Sequence, residues 1–455
     1  MRTGRSAWAL LGVAGAVQLV LIADTTMISV AMPSVQRDLQ VSDLSRQWVI
    51  SAYTLALAGL ILLGGRLVDR FGRRTVIVAG ALGFAASILV VGTAREVGVL
   101  IAGRAAEGVF AAVLTPANLS VLARAFTDPR DRARAFGLFG AIVTSGGGFG
   151  LVVGGALIEF ASWRWWVCVS TPIAIVAVVV AWRQLPREPV DRSVRLDLRS
   201  AALSIGGLVA LVWALATGAS GNWWSEQVMG AFAVSMALLA AFVVRQWGKS
   251  QPLLPLAMLR DRHRLSAYVS EAGAGFGLLG MFFLLSYQFQ QVLGFSALMT
   301  GLAFIPLLAV DAAVAIQYTH RLLRRRGLSV TLGCGFALLA VGILLLSRIT
   351  PSSSYWGLIL PAEAIVGCGA ALIGPTAMST ATADVGAQES GIASAFFSTC
   401  QMVGTSIGVA VLNTIGASSG PQGYARASVW STAVLGCVGF VAVVLPMSAR
   451  HRAPR

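Results

Sequence analysis

GLFGAIVTSGGGFGLVVGG, residues 137 to 155, carries eight glycines among nineteen residues and no charged side chain. Glycine costs a helix interior about 1 kcal/mol per residue relative to alanine. The remaining residues are apolar enough for a membrane helix, and there small residues four apart let two helices touch backbone to backbone. Gly146, Gly150 and Gly154 keep that spacing, with Gly137 upstream and Gly155 beside the last. The stretch predicts a transmembrane helix with one smooth, small-residue face.

The rest of the chain agrees. Of 455 residues, 56% are hydrophobic and only 12% charged. A bilayer-spanning helix needs about 20 apolar residues. Such runs occur at 8–33, 47–66, 75–95, 98–123, 134–158, 164–184, 199–218, 225–245, 266–292, 298–319, 328–348, 354–378, 390–415 and 427–447. The expected fold is therefore an all-α integral membrane protein with 14 transmembrane helices. The linkers are too short to hold a catalytic domain, so an enzyme is not expected. The longest linkers follow spans 6 and 8. They suggest a six-helix bundle at 1–185, a linker with two inserted transmembrane helices at 186–265, and a second six-helix bundle at 266–455.

The net charge of +15 is distributed by topology. Arginines cluster in alternate linkers, for example Arg66, Arg70, Arg73 and Arg74, then Arg183, Arg187, Arg192 and Arg199, then Arg321, Arg324, Arg325 and Arg326. This asymmetry fits the positive-inside rule, with both termini cytoplasmic. It points to anionic lipid as a partner and to no nucleic acid. Trp8, Trp48, Trp163, Trp165, Trp166, Trp224, Trp247, Trp356 and Trp430 fall at span ends, as an aromatic belt would. The five cysteines form no C-x-x-C pair, so neither a metal nor a redox site is expected. Gly248-Lys249-Ser250 looks like the end of a phosphate-binding loop. That loop needs a glycine at 243, where this chain has valine, so transport would draw on an ion gradient rather than ATP.

Charge inside the spans marks candidate function. Arg104 lies within span 4, where an arginine costs at least about 2.5 kcal/mol. Glu107, three residues on, shares its helix face. Asp24, Glu271, Asp311 and Glu363 are the other acids within spans. A carboxyl facing a cavity can hold either a proton or a cationic substrate, and competition between them couples the two flows. Asp24 is the leading candidate and Asp311 the second. Glu271, near the end of span 9, is expected to reach water. Phe282, Phe283, Phe289 and Phe304 are candidates to line an amphipathic cavity, although packing would account for each.

Between spans 2 and 3 stands GGRLVDRFGRR, residues 64 to 74. It closely resembles the signature loop of the major facilitator superfamily. The resemblance implies a cytoplasmic gate loop of Gly65, Asp69, Arg70, Gly72 and Arg73, with Asp69 as its latch. LIAGRAAEGVFAA, residues 100 to 112, resembles the family's span-4 motif, whose arginine is linked to proton transfer; Glu107 replaces the usual glutamine. Gly137, Gly146, Gly150, Gly154 and Gly155 match the span-5 motif of the proton-coupled drug exporters, with Leu151 in place of the family's proline. Asp24, Thr26, Ala31 and Pro33 resemble span 1 of the fourteen-helix drug:proton antiporter branch, and residues 287–306 fit that branch too. The second half departs in places: Arg324 stands where a second gate loop would have its acid, and Gln401 where an arginine is usual.

The resemblance implies proton-coupled efflux of amphipathic drugs or antibiotics across the inner (cytoplasmic) membrane by alternating access. The partners would be protons, a small organic substrate and membrane lipids, with no cofactor and a monomeric state. An importer or facilitator of the same superfamily, and a non-transporting membrane sensor, are the alternatives.

Overall fold

A computed structural model describes residues 4–447, apart from 127, 195, 220–222, 248, 250–251, 255, 384–386 and 418–420. Gly248 and Ser250 thus lie outside the described residues. Fifteen α-helices follow in order: α1 (Gly4–Leu39), α2 (Asp43–Phe71), α3 (Arg73–Thr93), α4 (Val97–Ala125), α5 (Pro129–Phe160), α6 (Trp166–Gln184), α7 (Leu198–Ala219), α8 (Glu226–Gln246), α9 (Arg262–Tyr287), α10 (Ala297–Ala303), α11 (Ile305–Val314), α12 (His320–Leu346), α13 (Leu360–Ala381), α14 (Ala387–Ala417) and α15 (Pro421–Met447). No strand occurs among the described residues. The protein is all-helical, as expected.

Among the described residues, twelve helical stretches are long and apolar enough to cross a membrane. The sequence suggested fourteen, and the two readings part at two places. Only Ser145–Phe160 of span 5 registers, as a shorter apolar helix. Spans 10 and 11 fall within one 50-residue stretch, Ala297–Leu346, which Gly327 breaks with a φ of +81°. A positive φ suits glycine because it has no Cβ to clash.

Helix ends follow local chemistry. The Ser42 hydroxyl accepts from Ser45 N–H at 3.2 Å to start α2. The Ser225 hydroxyl accepts from Val228 N–H at 3.3 Å to start α8. α2 ends at Gly72, φ +79°, so the chain turns at once into α3. Large apolar side chains stand exposed along α3 (Leu82, Leu89, Val90), α6 (Ile175, Val176, Val179), α8 (Val234, Met236, Val244) and α15 (Phe440, Val441, Val444). Helices apolar on every face suit a lipid surround.

The chain divides into two compact units. The first comprises residues 1–205 and Ser296–Leu302; the second comprises Gly206–Phe295 and Ala303–Arg455. Within the first unit α1 pairs with α5, α2 with α4, and α3 with both α4 and α6. Within the second, α9 pairs with α14, α11 with α13, and α12 with both α13 and α15. The same pairing scheme thus occurs twice, a repeat that faint sequence similarity had hidden.

Glycines set the closest approaches in both units. A Cβ on Gly150 would meet the Ala23 carbonyl oxygen and, at 2.6 Å, its Cα; on Gly154 it would lie 3.2 Å from Met27 Cα. Gly146 faces the Leu19 carbonyl oxygen at 3.1 Å, and Gly155 faces Ala297 of α10 at 2.6 Å. Thr26 fastens the α1–α5 seam, its hydroxyl lying 3.0 Å from the Gly147 carbonyl oxygen. Gly137 lies outside the residues whose side-chain contacts are described. α5 runs unbroken past Leu151. In the second unit, Gly404 and Gly408 of α14 press on the Ala272 and Phe276 carbonyl oxygens of α9.

Adding a methyl at such a contact should force the helices apart. Overpacking typically costs about 1–3 kcal/mol. Gly150→Ala and Gly408→Ala should therefore lower the melting temperature of the detergent-solubilised protein. Gly436→Ala, where a Cβ meets nothing within 4 Å, should not.

Candidate functional site

Four helices of the first unit converge on Arg104. It lies in α4, seven residues after Val97, and is 1% exposed; Glu107 is 0% and Asp24 of α1 is 3% exposed. The Arg104 guanidinium donates through Nη1 to the Asp24 carboxylate and to Glu107 Oε2, the latter at 2.5 Å. Its Nε donates to the Val49 carbonyl of α2 at 3.2 Å. The Tyr53 ring, also on α2, lies 4.6 Å from the guanidinium carbon, a cation–π arrangement. Trp166 of α6 donates its indole N–H to Asp24 Oδ1 at 3.0 Å. The Tyr53 hydroxyl donates to the Leu21 carbonyl at 3.2 Å.

The helical register explains half of this. Residues three apart meet on one face, so Arg104 and Glu107 must be neighbours. Tertiary packing brings in the second acid. Two carboxyls then share one guanidinium, so full ionisation leaves one negative charge in a dry interior. One proton neutralises it. Glu107 Oε1 and Arg104 Nη2 carry no hydrogen-bond partner, so the site holds acceptor and donor capacity in reserve.

The tryptophan belt needs correction here. Trp165, Trp224, Trp247, Trp356 and Trp430 are exposed, as a belt requires. Trp163 and Trp166, both 4% exposed, are instead buried; Trp163 donates to the exposed Asp38 near the end of α1 at 3.2 Å, and Trp166 donates inward to Asp24. Spacing could not separate the two roles, because both put an indole at a helix end.

The loop between α2 and α3 is held by a residue that the motif does not contain. Glu188, in the linker after α6, accepts from Arg73 Nη1 at 2.7 Å, from the Arg73 backbone N–H at 3.0 Å and from Arg124 at 3.1 Å. The linker adds a bond from Asp191 N–H to the Arg70 carbonyl, 2.8 Å, and accepts from Arg70 Nη1 at the Val194 carbonyl, 3.2 Å. Arg73 Nε donates to Ser120 of α4 at 2.8 Å. Asp69 is exposed and lies in the fields of Arg66, Arg73 and Asp191. A Cβ on Gly65 would meet open space; the tight position is its neighbour Gly64, against the Ala112 carbonyl. A negative residue in LPREP was visible in the sequence, but nothing local said where that loop would fold.

The second unit holds acids without a guanidinium. Glu363 of α13 is 0% exposed; its Oε2 lies 3.5 Å from the Tyr355 hydroxyl, which donates to the Ala303 carbonyl at 2.8 Å. Its Oε1 has no partner. Asp311 of α11 is half-buried, its backbone N 3.2 Å from where a Cβ on Gly367 of α13 would stand. Glu271 corrects an expectation: it is 3% exposed, with Oε2 unpartnered, and does not reach water at the helix end. Phe282, Phe289 and Phe304 are buried, and the first two pack tilted rings against Phe304, with centroids 4.8 Å apart for Phe282–Phe304 and 5.3 Å for Phe289–Phe304. Phe283 pairs with Tyr287 at 5.2 Å. Three five-residue π-helical turns, Gln288–Val292, Ala315–Thr319 and Tyr355–Ile359, interrupt these helices. Such bulges often accompany functional positions. No cluster of three or more potential metal ligands occurs among the described residues.

Removing one partner of a buried pair typically costs about 3–5 kcal/mol. Arg104→Met should therefore cut the yield of folded protein and lower its melting temperature, whereas Trp166→Phe, which removes one hydrogen bond to Asp24, should lower it less. Equal melting of Arg104→Met and wild type would mean that Asp24 and Glu107 need no cation. Glu188→Gln weakens a partly exposed pair, worth at most about 1 kcal/mol. It should leave melting nearly unchanged but speed hydrogen exchange at the Asp191 amide, as should added salt.

Residues 14–409 match the Major Facilitator Superfamily. The puromycin resistance protein pur8 of Streptomyces alboniger is 41% identical over 404 residues, covering 88% of this chain and 80% of its own length. The cephamycin export protein CmcT of Amycolatopsis lactamdurans is 34% identical, covering 96% of this chain and 92% of its own. The crystal structure of PepTSo, a POT family transporter, superposes with a TM-score of 0.73 over 100% of both chains at 15% identity, which supports the fold alone. The all-helical architecture, the buried ionic site and these matches lead to one conclusion: this chain belongs to the Major Facilitator Superfamily and is a multi-pass membrane transporter, not an enzyme, with drug and antibiotic exporters among its relatives.

Proposed function

We propose that the protein exports a small amphipathic organic compound of antibiotic type in exchange for protons, by alternating access across the cytoplasmic membrane. The observation that carries this reading is the triad of Asp24, Arg104 and Glu107: two buried carboxyls on one guanidinium, short of full neutrality by one proton. Protonation releases a carboxyl from Arg104, and that change of pairing across α1 and α4 is a switch that an ion gradient can drive. Each proton crossing the membrane potential supplies about 2.3 kcal/mol per 100 mV.

In this reading Asp311, Glu363 and the phenylalanines of the second unit contribute to substrate recognition. The glycine faces of α5 and α14 let helices slide with few side-chain barriers. The gate loop of Gly65, Asp69, Arg70, Gly72 and Arg73, pinned by Glu188, closes the cytoplasmic side. Both termini are cytoplasmic, the membrane is crossed fourteen times, and the monomer is the working unit. The printed roles of the relatives, puromycin resistance and cephamycin export, support an antibiotic-like cargo.

Puromycin is the probe of choice for the test. Inverted membrane vesicles energised with a proton gradient should accumulate puromycin only when they contain this protein, and a protonophore should abolish the uptake. Asp24→Asn should reach the membrane in normal amount and lose gradient-driven accumulation. Retention of full accumulation would remove Asp24 from the coupling mechanism.

A further inference from the structure

Glu271 has no role in the switch described above, and its surroundings give it one. It lies nine residues into α9, about 13 Å along the helix from Arg262 at 1.5 Å per residue. Its neighbour Ala272 has its carbonyl against Gly404 of α14, and one turn on, Gly275 sits against the Gln401 carbonyl. The two backbones are too close there for a long cationic side chain to enter. The Ser270 hydroxyl beside it is also buried and without a partner.

Among the described residues, no counter-charge approaches from the packed elements. On α14 the titratable neighbour is the Cys400 thiol, which feels the carboxylate's charge. On α9 itself Tyr268 lies three residues before, with its hydroxyl unpartnered, and Arg264, two turns before, is engaged by Asp261 at 3.6 Å and by the Ala383 carbonyl at 3.0 Å. α13 meets this part of α9 through Ala377 and Ala381, fourteen or more residues beyond its only charged side chain, Glu363. α15 meets it at Ala442 and Val438, far from Arg426. α12 contributes Phe336, ten residues past Arg326.

A carboxylate in such a place is uncompensated, and a buried charge is expensive unless paired. The smallest ligand that neutralises it is a proton. We infer that Glu271 is a second proton-carrying carboxyl, in the second unit and independent of the Arg104 triad. Its Oε2 takes a proton from hydronium to give the neutral acid and a water molecule when water reaches the α9–α14 seam, and returns the proton to water later in the cycle. This assignment rests on the exchange reading above. It adds that proton traffic is not confined to the first unit: the triad always retains ionic partners, whereas Glu271 alternates between neutral and charged with no partner at all.

The test uses the full-length protein in proteoliposomes with puromycin as the probe. Two fluxes are compared: accumulation driven by a pH gradient, and puromycin counterflow with no gradient. Glu271→Gln mimics the neutral acid. It should lose driven accumulation at least tenfold while keeping counterflow within twofold, and Glu271→Asp should restore driven flux with a displaced pH profile. Unchanged driven flux, pH profile and proton-to-puromycin ratio in Glu271→Gln would overturn the assignment. Loss of both fluxes, not restored by Glu271→Asp, would make Glu271 a structural residue and overturn it equally. If wild type itself shows no gradient-driven puromycin flux, the exchange reading fails first. A cargo-independent measurement then still decides on Glu271: the pH-dependent infrared difference spectrum should lose one carboxylic C=O band in Glu271→Gln, and an identical spectrum would refute proton binding there.

Discussion

Much of the first unit depends on how one guanidinium is shared. Arg104 sits where neither water nor lipid can satisfy it, so protein meets its Nε and Nη1 and leaves Nη2 unpartnered. α1 supplies Asp24, α2 supplies the Val49 carbonyl and the Tyr53 ring, and α4 supplies Glu107. Trp166 of α6 then holds the far oxygen of Asp24. A change in the charge of either acid is felt by every one of these helices. A buried ionic group that does little for net stability can still set which helices are joined and when. In a transporter that is the useful property.

The glycines answer a different demand. Helices in a bilayer gain nothing from hiding apolar surface from lipid, so dispersion at close approach has to join them. Gly146, Gly150 and Gly154 provide it between α1 and α5, and Gly404 and Gly408 between α9 and α14. The propensity cost of about 1 kcal/mol each is offset by backbone contact and by freedom from interlocking side chains. The same arrangement recurs in both units.

At the basic end of the first unit the same economy of charge holds. Arg73 and Arg124 sit close enough to repel each other, and Glu188 accepts from both. The linker that carries Glu188 is thereby folded onto the loop between α2 and α3, where Gly72 makes room for it: a Cβ there would stand 2.7 Å from the Glu188 Cβ. The α2–α3 loop is consequently not a free hairpin of motif residues. It is one half of a two-segment structure whose other half lies more than a hundred residues along the chain.

The sequence by itself determined the all-helical membrane body, most helix positions, the family and the identity of the charged residues inside spans. All of these follow from local composition, from spacing along one helix, or from motifs such as GGRLVDRFGRR. It also placed Arg104 and Glu107 on one face, because helical geometry alone does that. Other features it left open. Spacing alone puts Trp166 at an interface, marks nothing at Glu188 and lets Glu271 reach water. The division of the chain into two units with matching helix pairs was only a suggestion from counting spans. In each case the deciding contact joins residues far apart in sequence: 142 positions for Trp166 and Asp24, 115 for Glu188 and Arg73. Whether a polar side chain in an apolar run meets a partner, a lipid or nothing is set by the neighbouring helix, and only the tertiary structure chooses that neighbour.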